Sequence, residues 1–134
     1  MRCNRGKDMK IRNLLLGLGM GLACAVSAQA QEAIRIGIPV GLSGANSVVA
    51  PSVVQASELA VDQINAKGGV LGRRLELVIA DDGSGAQGAQ RAYDSLVFQQ
   101  EVDAIVAMET SAARNAGLPI VNRGKVPMIY TSFY

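Results

Sequence analysis

Four short apolar runs alternate with segments of helical periodicity along most of this chain. The runs lie at 34–41, 75–80, 102–108 and 126–132. They are apolar on both faces, which is typical of strands that helices cover on both sides. Strands joined through helices pair in parallel, with right-handed crossovers. The order β-α-β-α-β-α-β therefore predicts an α/β fold built on a doubly wound parallel sheet.

The first segment between these runs carries the spacing of an amphipathic helix. Ser52 followed by Gln55 indicates a capping box for a helix that ends at Lys67, because Gly68 and Gly69 readily adopt the left-handed conformation that ends helices. The residues expected on its apolar face are Val53, Ala56, Ala60, Val61 and Ile64.

Two further helices are expected after the second and third runs. The second helix is predicted over 85–100, with a buried stripe formed by Ala86, Ala89, Tyr93, Leu96 and Val97. The third follows the run at 102–108 and contains Pro119. Proline lacks an N–H group and clashes with the preceding turn, so we expect it to kink or split this helix.

The first thirty residues have the layout of a secretory signal peptide. An uncharged apolar run at 14–26 is followed by the small residues Ala28 and Ala30, just before Gln31. The run has 13 residues, whereas a helix that spans a bilayer needs ~20. The sequence predicts that 1–30 is removed and that 31–134 is exported to the periplasm. The basic residues that open the segment are Arg2, Arg5, Lys7, Lys10 and Arg12.

Two details of this segment stay open. Met9 followed by Lys10 is an alternative start to Met1, since it gives a more compact signal. Cys24 in "GLAC" is an alternative, lipoprotein-type cleavage point. Gly21 stands where such a box has a large aliphatic residue, so the cut after Ala30 is favoured.

The composition of 31–134 excludes several kinds of chemistry. Both cysteines precede it and the chain has no histidine, so neither a disulfide nor a zinc site nor a histidine-containing catalytic triad is expected. Eight basic and ten acidic residues remain, a net charge of about −2, which offers no basic patch for nucleic acid. We therefore expect no metal, no cofactor, no nucleic-acid partner and no enzymatic activity, because a nucleophile with its base is lacking.

A glycine motif follows the second run and suggests an alternative. Gly83, Gly85 and Gly88 have the G-x-G-x-x-G spacing of a dinucleotide-binding turn. That fingerprint belongs to the first βα turn of its fold, and Asp81 and Asp82 would repel a pyrophosphate here. The favoured interpretation is that Asp82 or Ser84 caps the second helix. A nucleotide-binding domain or a small exported α/β enzyme remains the alternative to a binding protein.

The acidic pair also suggests a receiver domain, in which two acidic residues after a strand bind magnesium. Such a domain needs a further aspartate and a lysine at the ends of later strands. The residues in those places are Met108 with Glu109, and Tyr130 with Thr131. A receiver domain is therefore disfavoured. The predicted export signal also disfavours it, because receiver domains act in the cytoplasm.

Several stretches carry a resemblance to a known family. They read "IRIGIPVGLSGANS", "INAKGGVLGRRLELVIADD" and "VDAIVAMETSAARNAGLPIVNRGKVPMIYTSFY". Over 33–134 they resemble the start of a periplasmic substrate-binding protein of ABC importers, of the leucine/isoleucine/valine-binding family. "TSAARNAGLP" with "YTSFY" is similar to the branch that binds urea and short amides. The resemblance implies a type I periplasmic binding protein, with two α/β lobes that close on an amino acid or amide and deliver it to a membrane permease.

Family members run to several hundred residues, whereas this sequence ends after four strands. The resemblance therefore implies that 31–134 is part of the first lobe, in an N-terminal fragment. Such a fragment is expected to be marginally stable and to leave the strand edge at 126–130 open to other chains.

The carboxyl ends of the strands are where ligands bind in open α/β sheets. The candidate ligand-binding residues in the loops that follow the strands are Ser43, Ser47, Thr110, Ser111, Thr131 and Tyr134. Ser43 and Ser47 could equally hydrogen-bond their own loop. Matching the family's binding loop to "METSAAR" places ligand oxygens at Thr110 and Ser111, with Ser111 as a helix cap. Glu109 is expected to pair either with a ligand N–H group or, preferentially, with Arg114.

Overall fold

Parallel strands and helices alternate through the computed structural model, which describes residues 31–83 and 85–131. The strands are β1 (Ile34–Val40), β2 (Leu75–Asp81), β3 (Ala104–Ala107) and β4 (Met128–Tyr130). The helices are α1 (Ala50–Ala66), α2 (Ala86–Asp94) and α3 (Ser111–Gly124). A 3-10 turn at Gly44–Asn46 precedes α1, and a π-helical turn at Ser95–Gln99 extends α2. The predicted α/β alternation is confirmed.

The four strands form one parallel sheet in the order β2-β1-β3-β4. From β1 the chain passes through α1 to β2 on one side, and from β2 it crosses back over β1 to β3. The winding direction therefore reverses between β1 and β3, as the doubly wound prediction requires. The loops that follow these two strands diverge to opposite faces of the sheet, which opens a crevice at their carboxyl ends.

Two apolar cores lie on the two faces of the sheet. Alternation along β2 sends Leu77 and Ile79 toward α1, and Val78 and Ala80 toward α2 and α3. The core under α2 and α3 contains the fully buried Tyr93. The buried members of that core are Ala89, Tyr93, Leu96, Val97, Val102, Ile105, Ala107, Ala113 and Val121.

Helix α1 buries a narrower face than its sequence pattern predicts. Val53 and Val54 pack against the β1–β2 side, but Ala56, Ala60 and Ile64 are exposed. The reason is that α1 lies over β1 and β2, so the same face of β3 and β4 has no helix over it among the described residues. Ile129 of β4 is accordingly 63% exposed.

The start of α1 and the course of α3 at Pro119 differ from the sequence prediction. Helix α1 begins at Ala50 with no side-chain cap, and Ser52 lies within its first turn. Pro51 suits that turn because its missing N–H would have no helical partner there. The helical segment of α2 continues through the π-helical turn to Gln99, close to the predicted end at Gln100. Helix α3 runs through Pro119 without a break. The predicted stop after α1 is found, with φ values of 98° at Gly68 and 76° at Gly69.

Within 31–83 and 85–131, no helix has the length and apolar character that crossing a membrane requires. The predicted signal peptide at 1–30 lies outside the described residues, as do Ser84 and Tyr134.

Candidate functional site

A cavity of about 520 Å³ opens at the carboxyl ends of β1 and β3, where the winding of the sheet reverses. One wall comes from the end of β1 and the start of α1, and the other from the loop between β3 and α3. The lining residues are Val40, Gly41, Asn46, Val49, Val53, Met108, Glu109, Thr110, Ser111 and Ala112. The cavity therefore lies at the topological switch point, where open α/β sheets bind ligands.

The polar wall of this cavity is the start of α3. Thr110 is the N-cap: its backbone is extended, and its Oγ1 accepts a hydrogen bond from the Ala113 N–H at 3.3 Å. Ser111 is the first helical residue and not the cap, contrary to the sequence prediction. The first N–H groups of a helix have no partners within the helix and attract anionic or carbonyl oxygens. Both side chains thus line the cavity at a helix end that favours such oxygens.

The other predicted site residues lie elsewhere. The Ser43 Oγ donates to Asp81 Oδ2 at 2.7 Å. Ser43 lines a smaller adjoining pocket that shares Asn46 and Thr110 with the cavity, whereas Ser47 lines neither. Thr131 Oγ1 donates to the Ala107 carbonyl at 3.1 Å. Thr131 lines an adjoining groove beside α1, which shares Met108 and Val53 with the cavity. The structure therefore brings Thr110 and Ser111 together and places Ser43 and Thr131 at two adjoining pockets.

Asp81 ties the loop after β1 to the loop after β2. Its carboxylate accepts hydrogen bonds from the Ser43 N–H at 3.1 Å and from the Gly83 N–H at 2.9 Å, besides the Ser43 hydroxyl. The Ser43 hydroxyl bond is the main cause that lowers the pKa of Asp81, and these two N–H bonds lower it further. Asp81 therefore stays ionised and holds the two loops together, a role that sequence reasoning missed.

The glycine motif serves the packing of these same loops. A Cβ atom on Gly83 would lie 2.1 Å from Ser43 Oγ, and one on Gly44 would lie 2.0 Å from the Gly83 carbonyl oxygen. Gly85 has a φ of 68° and is the N-cap of α2, without a side-chain cap. The expectation that Asp82 caps α2 is therefore wrong, because Asp82 turns into the protein and is 4% exposed.

Two buried carboxyl groups lie beside the cavity. Glu109 is 5% exposed, and its Oε1 accepts a hydrogen bond from the buried Tyr93 hydroxyl. Burial, and then the neighbouring Asp82 carboxyl, raise the pKa of Glu109 to about 8, although the Tyr93 hydroxyl opposes this shift. Glu109 is therefore neutral at neutral pH. The Tyr130 hydroxyl donates to the Glu109 carbonyl at 2.7 Å and fixes the backbone there.

The expected pairing of Glu109 with Arg114 is not what the structure shows. The Arg114 guanidinium lies over the Tyr130 ring, 4.7 Å from its centroid, and hydrogen-bonds Asn115. Tyr93 was expected only as a core residue. The sequence does indicate that Asp82 and Glu109 could lie close together. Each follows an apolar run, and the carboxyl ends of these runs lie at the same edge of a parallel sheet.

The chain is similar to known proteins both in sequence and in fold. A family model described as periplasmic binding protein matches residues 33–134. The Leu/Ile/Val-binding protein homolog 8 of Brucella abortus (strain 2308) is 31% identical over 127 residues, covering 88% of this chain and 32% of that protein. The corresponding protein of Brucella suis biovar 1 (strain 1330) is 30% identical. The chain thus spans about a third of the length of these curated relatives.

Solved structures give the same family. The branched-chain amino acid transporter substrate-binding protein LivJ of Streptococcus pneumoniae, in complex with isoleucine, has a TM-score of 0.71 and 32% identity. The match covers 76% of this chain and 30% of that one. The leucine-binding protein LivK of Thermotoga maritima has a TM-score of 0.67 and 28% identity, covering 75% and 28%. These neighbours share the parallel α/β architecture of the described residues.

The raised pKa of Glu109 predicts that stability falls as pH rises. The folded protein holds the Glu109 proton up to about pH 8, whereas an ordinary glutamate releases it near pH 4.5. Folding therefore takes up a proton between these values, and the contribution of Glu109 to the free energy of unfolding decreases from about pH 4.5 to about pH 8. Urea unfolding of the purified protein across this range should show the decrease, and Glu109→Gln should reduce its slope.

Glu58, an exposed glutamate of α1, provides the matched control, since Glu58→Gln should leave the slope unchanged. An unfolding free energy that rises between pH 5 and pH 8 in the wild type, and equally in Glu109→Gln, would contradict the assignment.

Proposed function

This chain belongs to the periplasmic binding protein family, and we propose that it is an extracytoplasmic solute-binding component of an ABC importer for branched-chain amino acids. The observation that carries the proposal is the cavity at the switch point, with the start of α3 as its polar wall. The relatives named for leucine, isoleucine and valine support the same ligand class. A small amide such as acetamide is the second candidate, favoured by the sequence resemblance of the α3 segment.

The polar wall suits the carboxylate of an amino acid. Thr110 and Ser111 offer hydroxyl groups, and the start of α3 offers N–H groups and the positive end of the helix dipole. A charged glutamate beside them would repel a carboxylate. Because the pKa of Glu109 is raised to about 8, its carboxyl group is neutral at neutral pH and does not oppose such a ligand.

The rest of the cavity suits an aliphatic side chain. Val49 and Met108 line it while being 57% and 49% exposed, and Val40 and Val53 lie deeper. Exposed apolar side chains that line a cavity gain from burial, at about 25 cal/mol per Å² of apolar surface removed from water. One polar end and one apolar wall together select a ligand with a carboxylate and a short hydrocarbon group.

The chain corresponds to about a third of its relatives, so we propose that it supplies one wall of a two-walled site. Binding pockets usually bury ~70–90% of a small ligand. A single wall leaves the opposite side of the ligand in water and binds it weakly. The relatives' greater length supports a second lobe as the other wall and a membrane permease as the partner, with neither nucleic acid nor a cofactor required for binding.

Binding of L-isoleucine should be measurable through the amide resonances of the 15N-labelled protein. We expect fast exchange, millimolar affinity and shifts concentrated at Gly41, Thr110, Ser111 and Ala112. Ser111→Ala should weaken binding by ~0.5–1.5 kcal/mol, the net contribution of one hydrogen bond, since a ligand on a single wall stays partly in water. Ser111 is the cleaner position, because Thr110→Val also removes the α3 cap at a cost of ~1 kcal/mol in stability.

Ser47→Ala is the matched control, since Ser47 lies in the loop after β1 but does not line the cavity; it should bind isoleucine as the wild type does. Shifts confined to the groove between α2 and α3 would refute this site. Saturable binding of acetamide without binding of isoleucine would replace the amino acid by an amide as the ligand.

We also propose that 1–30 is a cleaved signal peptide and that the protein acts in the periplasm. The basic opening, the short apolar run and the small residues before Gln31 support this. Expression in a Gram-negative host should yield a periplasmic product whose intact mass corresponds to a start at Gln31. Ala30→Arg should block that cut, whereas Gln31→Asn should not. A cytoplasmic product that retains 1–30, or one lipid-modified at Cys24, would overturn the proposal.

A further inference from the structure

Two buried oxygen atoms beside the cavity have no hydrogen-bond donor among the described residues. They are Asp82 Oδ2 and Glu109 Oε2. Their residues are 4% and 5% exposed, and they are the two acidic side chains buried within 31–83 and 85–131. An ionised carboxylate oxygen only accepts hydrogen bonds, and leaving it buried without a donor is costly. The missing donor therefore requires an explanation.

The two carboxyl groups can satisfy each other only through a proton. Asp82 lines one small pocket together with Thr110, the residue after Glu109, and the Asp82 carboxyl raises the pKa of Glu109. Glu109 Oε1 is already bonded to the Tyr93 hydroxyl. Two acceptors in contact repel when both are ionised, but one protonated carboxyl group donates to the other. We propose that Asp82 and Glu109 share one proton, and that this hydrogen bond is a brace that positions Thr110 and Ser111 for the ligand.

Burial and the Asp82 carboxyl retain that proton on Glu109 against the opposing effects of Tyr93 and Arg114. From α2, the Tyr93 hydroxyl donates to Glu109 and lowers its pKa, although less than burial raises it. Burial, and then the bond to Glu109, raise the pKa of Tyr93 itself, so the tyrosine remains a donor. From α3, the positive charge of Arg114 opposes protonation of Glu109 but ranks below burial and Asp82 in its effect. Tyr130 of β4 contacts the Glu109 carbonyl. Asp81 at the end of β2 is engaged by Ser43. The pKa of about 8 at Glu109 agrees with a retained proton.

The hydrogen bond between Asp82 and Glu109 joins two loops that follow non-neighbouring strands of the sheet. Asp82 follows β2 and Glu109 follows β3, and β1 lies between these strands. Asp81 already ties the loop after β2 to Ser43 in the loop after β1. The shared proton thus connects all three loops around the cavity. Its loss would put two like charges in a buried place and push Glu109, with the adjoining Thr110, away from Asp82.

The positioning role of Glu109 rests on the proposed function, but the brace itself is testable without a ligand. Carbon-13 detection of side-chain carboxyl groups, between about pH 5 and about pH 9, should give Glu109 a titration midpoint near 8. The amide resonances of Thr110 and Ser111 should move with the same midpoint. A Glu109 midpoint near the ordinary 4.5, or amides that ignore the Glu109 titration, would overturn the proposal.

The Glu109→Gln variant separates the proton from the shape of the side chain. Its amide oxygen can accept from Tyr93 while its NH₂ group donates to Asp82 at every pH. The Thr110 and Ser111 amides should then stay near their low-pH positions throughout the titration. In Asp82→Asn, the Glu109 midpoint should fall, because the charge that opposes its ionisation is gone. Glu58→Gln is the control and should titrate like the wild type; if it removed the transition, Glu109 would not be its source.

Isoleucine binding provides the link to function. Wild-type affinity should drop several-fold above about pH 8, whereas Glu109→Gln should bind equally on both sides of that value. An equal pH dependence in both proteins would refute the positioning role. If isoleucine binds at no pH while Glu109, Thr110 and Ser111 titrate together, the shared proton stands and the proposed function fails.

Discussion

The reversal of winding between β1 and β3 is the constraint on which the site depends. The chain leaves β1 toward one face of the sheet and leaves β3 toward the other. Their two loops cannot pack over each other, so the carboxyl ends of the strands stay accessible and form a crevice. In the register of these two strands, Ile36 pairs with Ala104 and Gly37 pairs with Ile105. This register sets where the start of α3 meets the end of β1. The cavity follows from this topology before any particular side chain is considered.

Buried polar contacts then fix the edges of the crevice. Tyr93 belongs to the core beneath α2 and α3, yet its hydroxyl reaches Glu109 at the cavity. Packing at this point is close, since a Cβ atom on Gly117 of α3 would lie 2.3 Å from the Tyr93 ring. The tyrosine therefore cannot move without separating the two helices. Through Tyr93, the packed core determines the position of Glu109, which immediately precedes Thr110.

The sequence predicts the architecture well because strands and crossover helices have strong local patterns. Apolar runs gave all four strands, and the paired glycines gave the end of α1 at its observed place. The start of α1 was predicted poorly because Pro51 and Ser52 are both acceptable in a first turn, and local pattern does not rank them. The buried face of α1 was overestimated because periodicity does not reveal how many strands a helix covers.

Of the candidate site residues, Thr110 and Ser111 line the cavity, and their place after β3 made them identifiable. Ser43 instead bonds Asp81, a contact across 38 positions of the chain that local sequence cannot indicate. The inward turn of Asp82 depends on Glu109 and Tyr93, which only the tertiary fold brings together. Long-range polar pairs of this kind are what reading a single sequence leaves undetermined.

We propose above all that the start of α3 and the end of β1 form a ligand wall. Intermolecular nuclear Overhauser effects between 13C-labelled isoleucine and the protein test it most directly. We expect contacts from the ligand methyl groups to Val49, Val53 and Met108, with the ligand Cα proton near Ser111. Contacts instead to Ile120 and Pro119, in the groove between α2 and α3, would contradict it.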